Sequence, residues 1–371
     1  MRSTKEVAQV LDILGNTVEQ LGLNSWQLRT LYAIKKCRTS ALGGHIDACD
    51  DCGNISISYN SCRNRHCPKC QGKNKEDWIQ AREKELLPVP YFHVVFTLPE
   101  TLNSLAIYQP KLVYDSLFAA SQQTLFAFGN NKGLQMGMIG VLQTWGQNLS
   151  LHPHLHCIVP GGGVNDKGVW ENIRNDGKFL FPVKALSKVF RAKFCALLLS
   201  KAPEQYNTIR QGLWENQWVV YAKKPFGSPK SVVEYLGRYT HKIAISNHRL
   251  REVTAKEVIF SYKDYKAQGV KKEMKLSLGE FTRRFALHIL PKNFVKIRHY
   301  GFLSSTCKRN KLPAKQAKLQ AKPIQTKIKT KVLPKCPCCK SGKLHTLTVF
   351  DKSGPPPWYL GSSQSTSSCK S

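Results

Sequence analysis

Three groups of residues in this chain have the types and spacing that chemistry requires, and the cysteines are the most regular. Cys49-x2-Cys52 and Cys67-x2-Cys70 form two knuckles separated by fourteen residues. Four thiolates close a tetrahedral zinc site with no open coordination position, so a site built from these four is structural rather than catalytic. Cys37, His45, Cys62 and His66 lie in the same segment. They are the right number for a second tetrahedral zinc, and equally the types found as buried core residues or as donors behind a first ligand set. A later knuckle, Cys336-x2-Cys339, is accompanied by Cys338, His345 and Cys369 but by no second knuckle near it, and its metal is left unassigned.

The second group is the alternating stretch Leu151-His152-Pro153-His154-Leu155-His156-Cys157-Ile158-Val159. Side chains two apart on a strand share a face, so His154 and His156 project together while Leu155, Cys157 and Val159 face a core. Two imidazoles so placed can hold one divalent ion and leave positions open for a phosphate oxygen, which the ion polarises. His152 lies on the same face, beyond Pro153, which marks the strand start. Gln143, on the preceding expected strand, could supply a further oxygen donor.

Tyr235 and Tyr239 make the third group. Ser228-Pro229 combines an N-cap residue with proline at the first helical position, so a helix starts there and the two phenols stack i, i+4 on one face. Arg238 and Lys242 are close by in sequence. A phenol titrates near 10, so it needs a metal, base or cation beside it to act as a nucleophile. The plain alternative is an amphipathic helix burying two rings; the histidine strand in the same region favours chemistry.

The elements that must position these groups are set by pattern. Residues 4 to 36 read as two helices split near Gly22, and a charged helix from Lys73 to Leu87 connects the cysteine segment to the remainder of the chain. From Tyr91 the texture is α+β: strands at 91–98, 136–145, 154–159, 218–222, 243–246 and 258–265, helices over most of 100–128, 183–200, 228–241 and 278–288. The expected organisation is a zinc-binding N-terminal domain (1–87), a catalytic domain (88–307) and a Lys-rich, mostly disordered tail (308–371).

Composition narrows the partner. The chain has 371 residues and a formal net charge of +32, the balance of a polyanion binder. Arg63, Arg65, Lys69 and Lys73 interleave with the cysteines, so a metal-held knuckle carries a basic edge for DNA, with a solvated charged face as the plain alternative. No apolar stretch is long enough to span a membrane and the N-terminus has no signal-peptide pattern, so a cytoplasmic, nucleoid-associated protein is expected.

Together these features resemble the HUH-endonuclease transposases of the insertion sequence 91 family, over about residues 30 to 305. The resemblance rests on Leu42-Gly43-Gly44-His45 leading into Cys49-x2-Cys52, on the run from Ser61 through Cys67-Pro68-Lys69-Cys70 to Gln71, and on Thr144-Trp145-Gly146 to His156 with Gly161-Gly162-Gly163. It rests also on Tyr235-Leu236-Gly237-Arg238-Tyr239 and on His288-Ile289-Leu290-Pro291 to Arg298-His299-Tyr300-Gly301. It implies an antiparallel sheet flanked by helices, with both histidines on a central strand and the tyrosine helix packed across it. It implies too a rolling-circle reaction in which Tyr235 or Tyr239 cuts single-stranded DNA to leave a 5′-phosphotyrosine and a free 3′-OH, with Mg or Mn on His154 and His156. No G-x4-G-K-[S/T] phosphate loop is present, which fits a phosphotyrosine intermediate that conserves the cleaved bond. Other readings are an HUH replication initiator or relaxase, and a non-catalytic zinc-ribbon DNA-binding protein from a decayed element. A carboxylate-based nuclease is disfavoured, because no acidic residue lies between Gln143 and Val164.

Overall fold

A computed structural model describes residues 5–70, 85–173, 180–223, 242–265, 267–310 and 333–362, together with 79, 226, 231, 232, 235, 237 and 319. The chain starts with α1 (Val7–Leu14), a 3-10 turn and α2 (Ser25–Lys35), the last begun by a reciprocal cap in which Asn24 accepts from the Gln27 amide and Gln27 accepts from the Asn24 amide. Two strands come next, β1 (Gly44–Cys49) and β2 (Ile55–Tyr59). The middle of the chain contains β3 (Tyr91–Thr97), α3 (Asn103–Tyr108), α4 (Pro110–Asn130), β4 (Gly137–Trp145), β5 (Leu151–Pro160), β6 (Gly162–Val164), β7 (Trp170–Asn172), α5 (Val183–Lys201), α6 (Pro203–Glu215) and β8 (Val219–Lys223). After residues 231, 232, 235 and 237, which are helical, come β9 (Leu250–Val253), β10 (Glu257–Asp264), β11 (Val270–Ser277), α7 (Leu278–Ala286), β12 (Ile297–Gly301), α8 (Ser305–Asn310), β13 (Leu344–Phe350) and α9 (Pro357–Ser362).

Period-two alternation builds the central sheet, whose order is β12-β4-β5-β3-β8 with every neighbouring pair antiparallel. One face carries Phe92, Val94, Phe96, Leu142, Leu155, Cys157 and Val159, which pack against Val113, Leu117 and Phe118 of α4 and Phe190 and Phe194 of α5. Burying an aliphatic or aromatic side chain contributes roughly 1.5–3 kcal/mol, so this face anchors β5 and sets the direction of the residues between. The opposite face of the same strands therefore holds His93, Val95 and Thr97 on β3, Ile139, Val141 and Gln143 on β4, and His154, His156 and Ile158 on β5. Val232, from the tyrosine-bearing helical segment, packs with Ile139, Val141 and Ile158 on that second face.

A second core joins distant parts of the chain. Val7, Val10 and Leu11 of α1, Leu31 and Ile34 of α2, and Cys37 and Cys67 meet Val258 and Phe260 of β10 and Phe281 and Phe285 of α7. The cysteine segment is thus packed onto the β9–β10–β11 sheet rather than isolated. β13 completes a third sheet, in the order β13-β1-β2.

Two expectations need correction. The stretch 308–371 is not simply a structureless tail, because β13 docks in antiparallel register on β1 and α9 comes after it. Residues 243–246 form no strand; Ala244 and Ile245 are buried in the second core instead. Most of the connector helix expected at 73–87 lies outside the described residues. Among the described residues, no helix is long and apolar enough to cross a membrane.

Candidate metal centres and nucleophile site

The cysteines assemble in two quartets, and neither is the expected one. Cys37, Cys62, Cys67 and Cys70 form one cluster; Cys49, Cys52, Cys336 and Cys339 form the other. The expectation that Cys49, Cys52, Cys67 and Cys70 share one ion is therefore corrected: the two early knuckles belong to different clusters, and the partner of Cys49 and Cys52 is the late knuckle. Sulfur pairs are 3.5 and 3.6 Å apart in the first cluster and 3.6 and 3.7 Å in the second. A zinc tetrahedron with 2.3 Å arms has edges of about 3.8 Å, whereas a disulfide needs about 2.05 Å, so both quartets fit structural zinc. Backbone amides donate to the thiols: Cys62 to Cys37, Asp51 to Cys49 and Gly342 to Cys339. Hydrogen bonds from Cys62 and then Cys67 hold the Cys37 thiol down to about 2, while Cys62 beside it is pushed up to about 12. One thiolate is thus stabilised by its neighbours, and a dication is what would allow all four.

The other ligand candidates of that segment are elsewhere. His45 sits 3.3 Å from the Asp47 carboxylate. His66 is turned inward, with its pKa lowered to about 3 by burial and then by Arg65. His345 faces Asp50 at 3.3 Å, and Thr346 donates to Asp47 at 2.8 Å, so side chains as well as sulfurs clip β13 to β1.

On the second face of the central sheet, register decides the constellation. His154 is opposite Gln143 of β4 and Thr97 of β3; His156 is opposite Val141 and Val95. The rings of His154 and His156 are 4.9 Å apart. Nδ1 of His154 is 2.6 Å from the His152 carbonyl, a contact that makes Nδ1 the donor and leaves Nε2 with its lone pair. Burial, then the charge of neighbouring histidines and Lys242, lowers the pKa of His156, and burial brings His154 to about 4. Both imidazoles are neutral at pH 7, the state that binds metal. Among the described residues no His, Cys, Asp or Glu completes a three-ligand group with both of them; His93 meets His156 at Nδ1, on the other side of that ring from Nε2. A third protein donor would be the buried Gln143 side chain, so the set is two imidazoles and an amide oxygen, neutral overall and compatible with a divalent cation that keeps open positions. His152 is exposed at the strand end, with its ring 5.1 Å from that of His154. The glycine tract has a packing role: a Cβ at Gly162 or Gly163 would strike the backbone oxygens of Glu171 and Gln135.

Tyr235 reaches this face through a residue that sequence reasoning missed. His93 Nε2 is 2.8 Å from His156 Nδ1 with the rings stacked, and the Tyr235 hydroxyl is 3.4 Å from His93 Nδ1. Burial lowers the His93 pKa to about 4. The signal available was one histidine inside the otherwise apolar strand Tyr91 to Phe96. Lys223 holds its ammonium 5.7 Å over the Tyr235 ring. Tyr239 and Arg238 lie outside the described residues. Lys296 was also missed: it is half-buried, its Nζ donates to the Lys242 carbonyl at 3.0 Å and stands 5.2 Å over the Trp145 ring, and desolvation lowers its pKa to about 7.

The basic residues of the cysteine segment divide. Arg65 donates to the carbonyls of Phe294 and Pro291, and Lys69 pairs with Glu6 at 2.6 Å and donates to the Cys37 carbonyl. Both join the module to its surroundings, while Arg65 is also exposed; these contacts do not test the expected DNA role. Arg63 is exposed, with a left-handed φ of 54°. Lys242 is exposed, and its charge acts on His154 and His156.

Comparison with known proteins agrees with this layout. Residues 10–98 match a family described as "Transposase zinc-binding domain", and residues 137–311 match one described as "Putative transposase". The chain is 40% identical to the "Putative transposase y4qJ" of Sinorhizobium fredii, over 96% of this chain and 98% of that protein. It is 31% identical to the transposase for insertion sequence element IS801 of Pseudomonas savastanoi pv. phaseolicola, over 78% of this chain and 73% of that one. No solved structure matches it. The family matches fall on the cysteine segment and on the strands bearing Gln143, His154 and His156, and with the full-length likeness they establish that the chain belongs to the insertion sequence 91 family of transposases, proteins of DNA transposition.

Proposed function

We propose that this transposase cleaves and rejoins single-stranded DNA at the ends of its element, with Tyr235 as a nucleophile and a divalent metal held by His154, His156 and Gln143. The observation that carries the reading is the contact chain from the Tyr235 hydroxyl through His93 to His156. In the reaction the phenol oxygen attacks the scissile phosphorus. A bond from phosphorus to Tyr235 forms as the bond to the 3′-oxygen breaks; the phenol loses its proton and the departing 3′-oxygen gains one. The 5′-phosphate stays on the tyrosine and the bond energy is kept for rejoining, so rolling-circle strand transfer needs no nucleotide hydrolysis.

Mg or Mn at the histidines would polarise a phosphate oxygen. The side chains do the rest. A histidine ligating through Nε2 keeps its proton on Nδ1, so His156 donates to His93 Nε2 and His93 carries its own proton on Nδ1, toward the Tyr235 oxygen. That donor and the Lys223 ammonium both favour the phenolate over the phenol. Lys242 supplies charge for the phosphate. Tyr239, in this reading, cuts a second strand while the first remains on Tyr235. The zinc-bound segment, packed on the second core, holds the DNA against this face.

The test is a labelled single-stranded oligonucleotide bearing the element's terminus, incubated with and without Mg or Mn. A covalent adduct on denaturing gels that vanishes without metal, and in the protein carrying Tyr235→Phe with Tyr239→Phe, is expected. Tight binding with no adduct on any terminal oligonucleotide would replace this reading with that of a DNA-binding remnant of an element.

A further inference from the structure

The edge strand β8 alternates like its neighbours. Val220 and Ala222 pack into the first core, while Val219, Tyr221 and Lys223 point to the opposite face. That is the face of the histidines, and register sets the three residues in line with them. Val219 shares a row with Thr97 and His154, Tyr221 with Val95 and His156, and Lys223 with His93 and Ile158. Val219 is 57% exposed and Tyr221 55% exposed. One exposed tyrosine is ordinary on a protein surface. Here the ring stands on the open edge of the sheet, two strands from His156, about 10 Å across the ladder, beside the lysine that caps Tyr235. No ring contact or hydrogen bond involves its side chain among the described residues. A flat, unpartnered aromatic ring, a small apolar neighbour and a cation in one row are the parts of a stacking platform for unpaired bases, and a net charge of +32 suits a polyanionic strand crossing it.

We propose that Tyr221, flanked by Val219 and Lys223, is a stacking ledge for an unpaired base of single-stranded DNA next to the phosphate cut at His154, His156 and Tyr235. The ledge rests on the cleavage reading above, and it assigns that site a direction: the strand runs from the histidines outward over β8. The ring does the work, because stacking uses a π-face and tolerates any base, so the hydroxyl is dispensable. Duplex DNA keeps its bases stacked inside and gains nothing from the ledge, which makes Tyr221 a selector for single strands.

The experiment uses the full-length zinc-loaded protein without added Mg or Mn, so that binding is read without cleavage. Fluorescent single-stranded oligonucleotides of the element's terminus are titrated, each with one abasic position moved stepwise through it. Tyr221→Ala should weaken binding roughly tenfold, Tyr221→Phe should stay within about twofold of the native protein, and duplex affinity should not change. One abasic position near the cleavage point should weaken the native protein as much as Tyr221→Ala does and should weaken Tyr221→Ala no further, the non-additivity expected of two groups in contact. Zinc content and far-UV circular dichroism of each variant check folding. Native-like binding by Tyr221→Ala, equal losses in the Ala and Phe variants, or an abasic penalty that persists in full without the ring would each overturn the ledge. If the native protein forms the covalent adduct while Tyr221→Ala binds normally, only the ledge fails; if the native protein binds no single strand, the cleavage reading fails first.

Discussion

Replacing Cys336 and Cys339 together by serine should remove one of two zinc ions and release the C-terminal strand, while the first cluster remains loaded. Each quartet has sulfurs spaced for one tetrahedral ion, so reductively purified native protein should hold two zinc ions per chain. Two thiolates left alone do not hold a structural zinc. Cys52 and Cys336 are 284 positions apart, and closing a loop of that length restricts the unfolded chain by roughly 5–6 kcal/mol in a chain-entropy treatment. The six register pairs between β13 and β1, the Asp50 contact to the Lys343 amide at 2.7 Å and the edge-on packing of Phe350 against Tyr59 also close that loop. Losing the ion should therefore appear first as local opening of residues 333–362, not as global unfolding. The assay is zinc content by mass spectrometry with limited proteolysis: a fall from two ions to one, and cleavage around 331–352 accelerated by about tenfold or more. Cys37→Ser should instead empty the first cluster and loosen the second core, which surrounds Cys37 and Cys67. A variant lacking Cys336 and Cys339 that keeps the native zinc content would refute the clasp and restore the pairing of Cys49 and Cys52 with Cys67 and Cys70.

Other expectations test how charge is used. Arg65→Ala removes two charge-assisted donors to the Phe294 and Pro291 carbonyls and should lower stability by about 2 kcal/mol in denaturant melts; unchanged stability with collapsed DNA affinity would return Arg65 to the DNA-contact role. Burial depresses Lys296 to about 7 in the folded chain against an ordinary 10.5. The unfolded chain therefore binds more protons between those values, and stability rises with pH across that window. Lys296→Met should stabilise the protein at pH 7 by on the order of 2 kcal/mol and flatten the rise, and an unchanged slope in thermal melts at pH 7 to 10 would refute the assignment. Deleting only residues 311–332, which spares Cys336 and Cys339, should weaken DNA binding and reduce its dependence on salt; equal affinity at every salt concentration would exclude phosphate contacts there.

Periodicity and local turns were readable without the fold. The alternation around His154 and His156 gave their shared face, because side-chain direction on a strand depends only on the strand's own pleat. Each CxxC could be recognised as half of a metal site, since two residues between ligands suffice to turn the chain. The helix expected from residue 278 was likewise local, and the structure starts it at Leu278 behind a Ser277 cap. Less was readable wherever identical local pieces could combine in more than one way. Three knuckles of the same spacing offer several pairings, and sequence proximity favoured the wrong one.

What the sequence alone determined is the chemistry carried: thiolates for structural zinc, two imidazoles on one strand, tyrosines at helical spacing and a large positive charge. Only the tertiary structure decided which of these meet. Strand register aligned Gln143 with His154 and brought His93 against His156 and Tyr235. Antiparallel docking of β13 on β1 carried Cys336 and Cys339 to Cys49 and Cys52. Packing of the cysteine segment on the second core committed Arg65 and Lys69 to internal partners. The physical reason is the same in each case: a residue's type and near neighbours fix its ionisation and direction, whereas partners tens or hundreds of positions away are selected by the burial of apolar faces elsewhere in the chain.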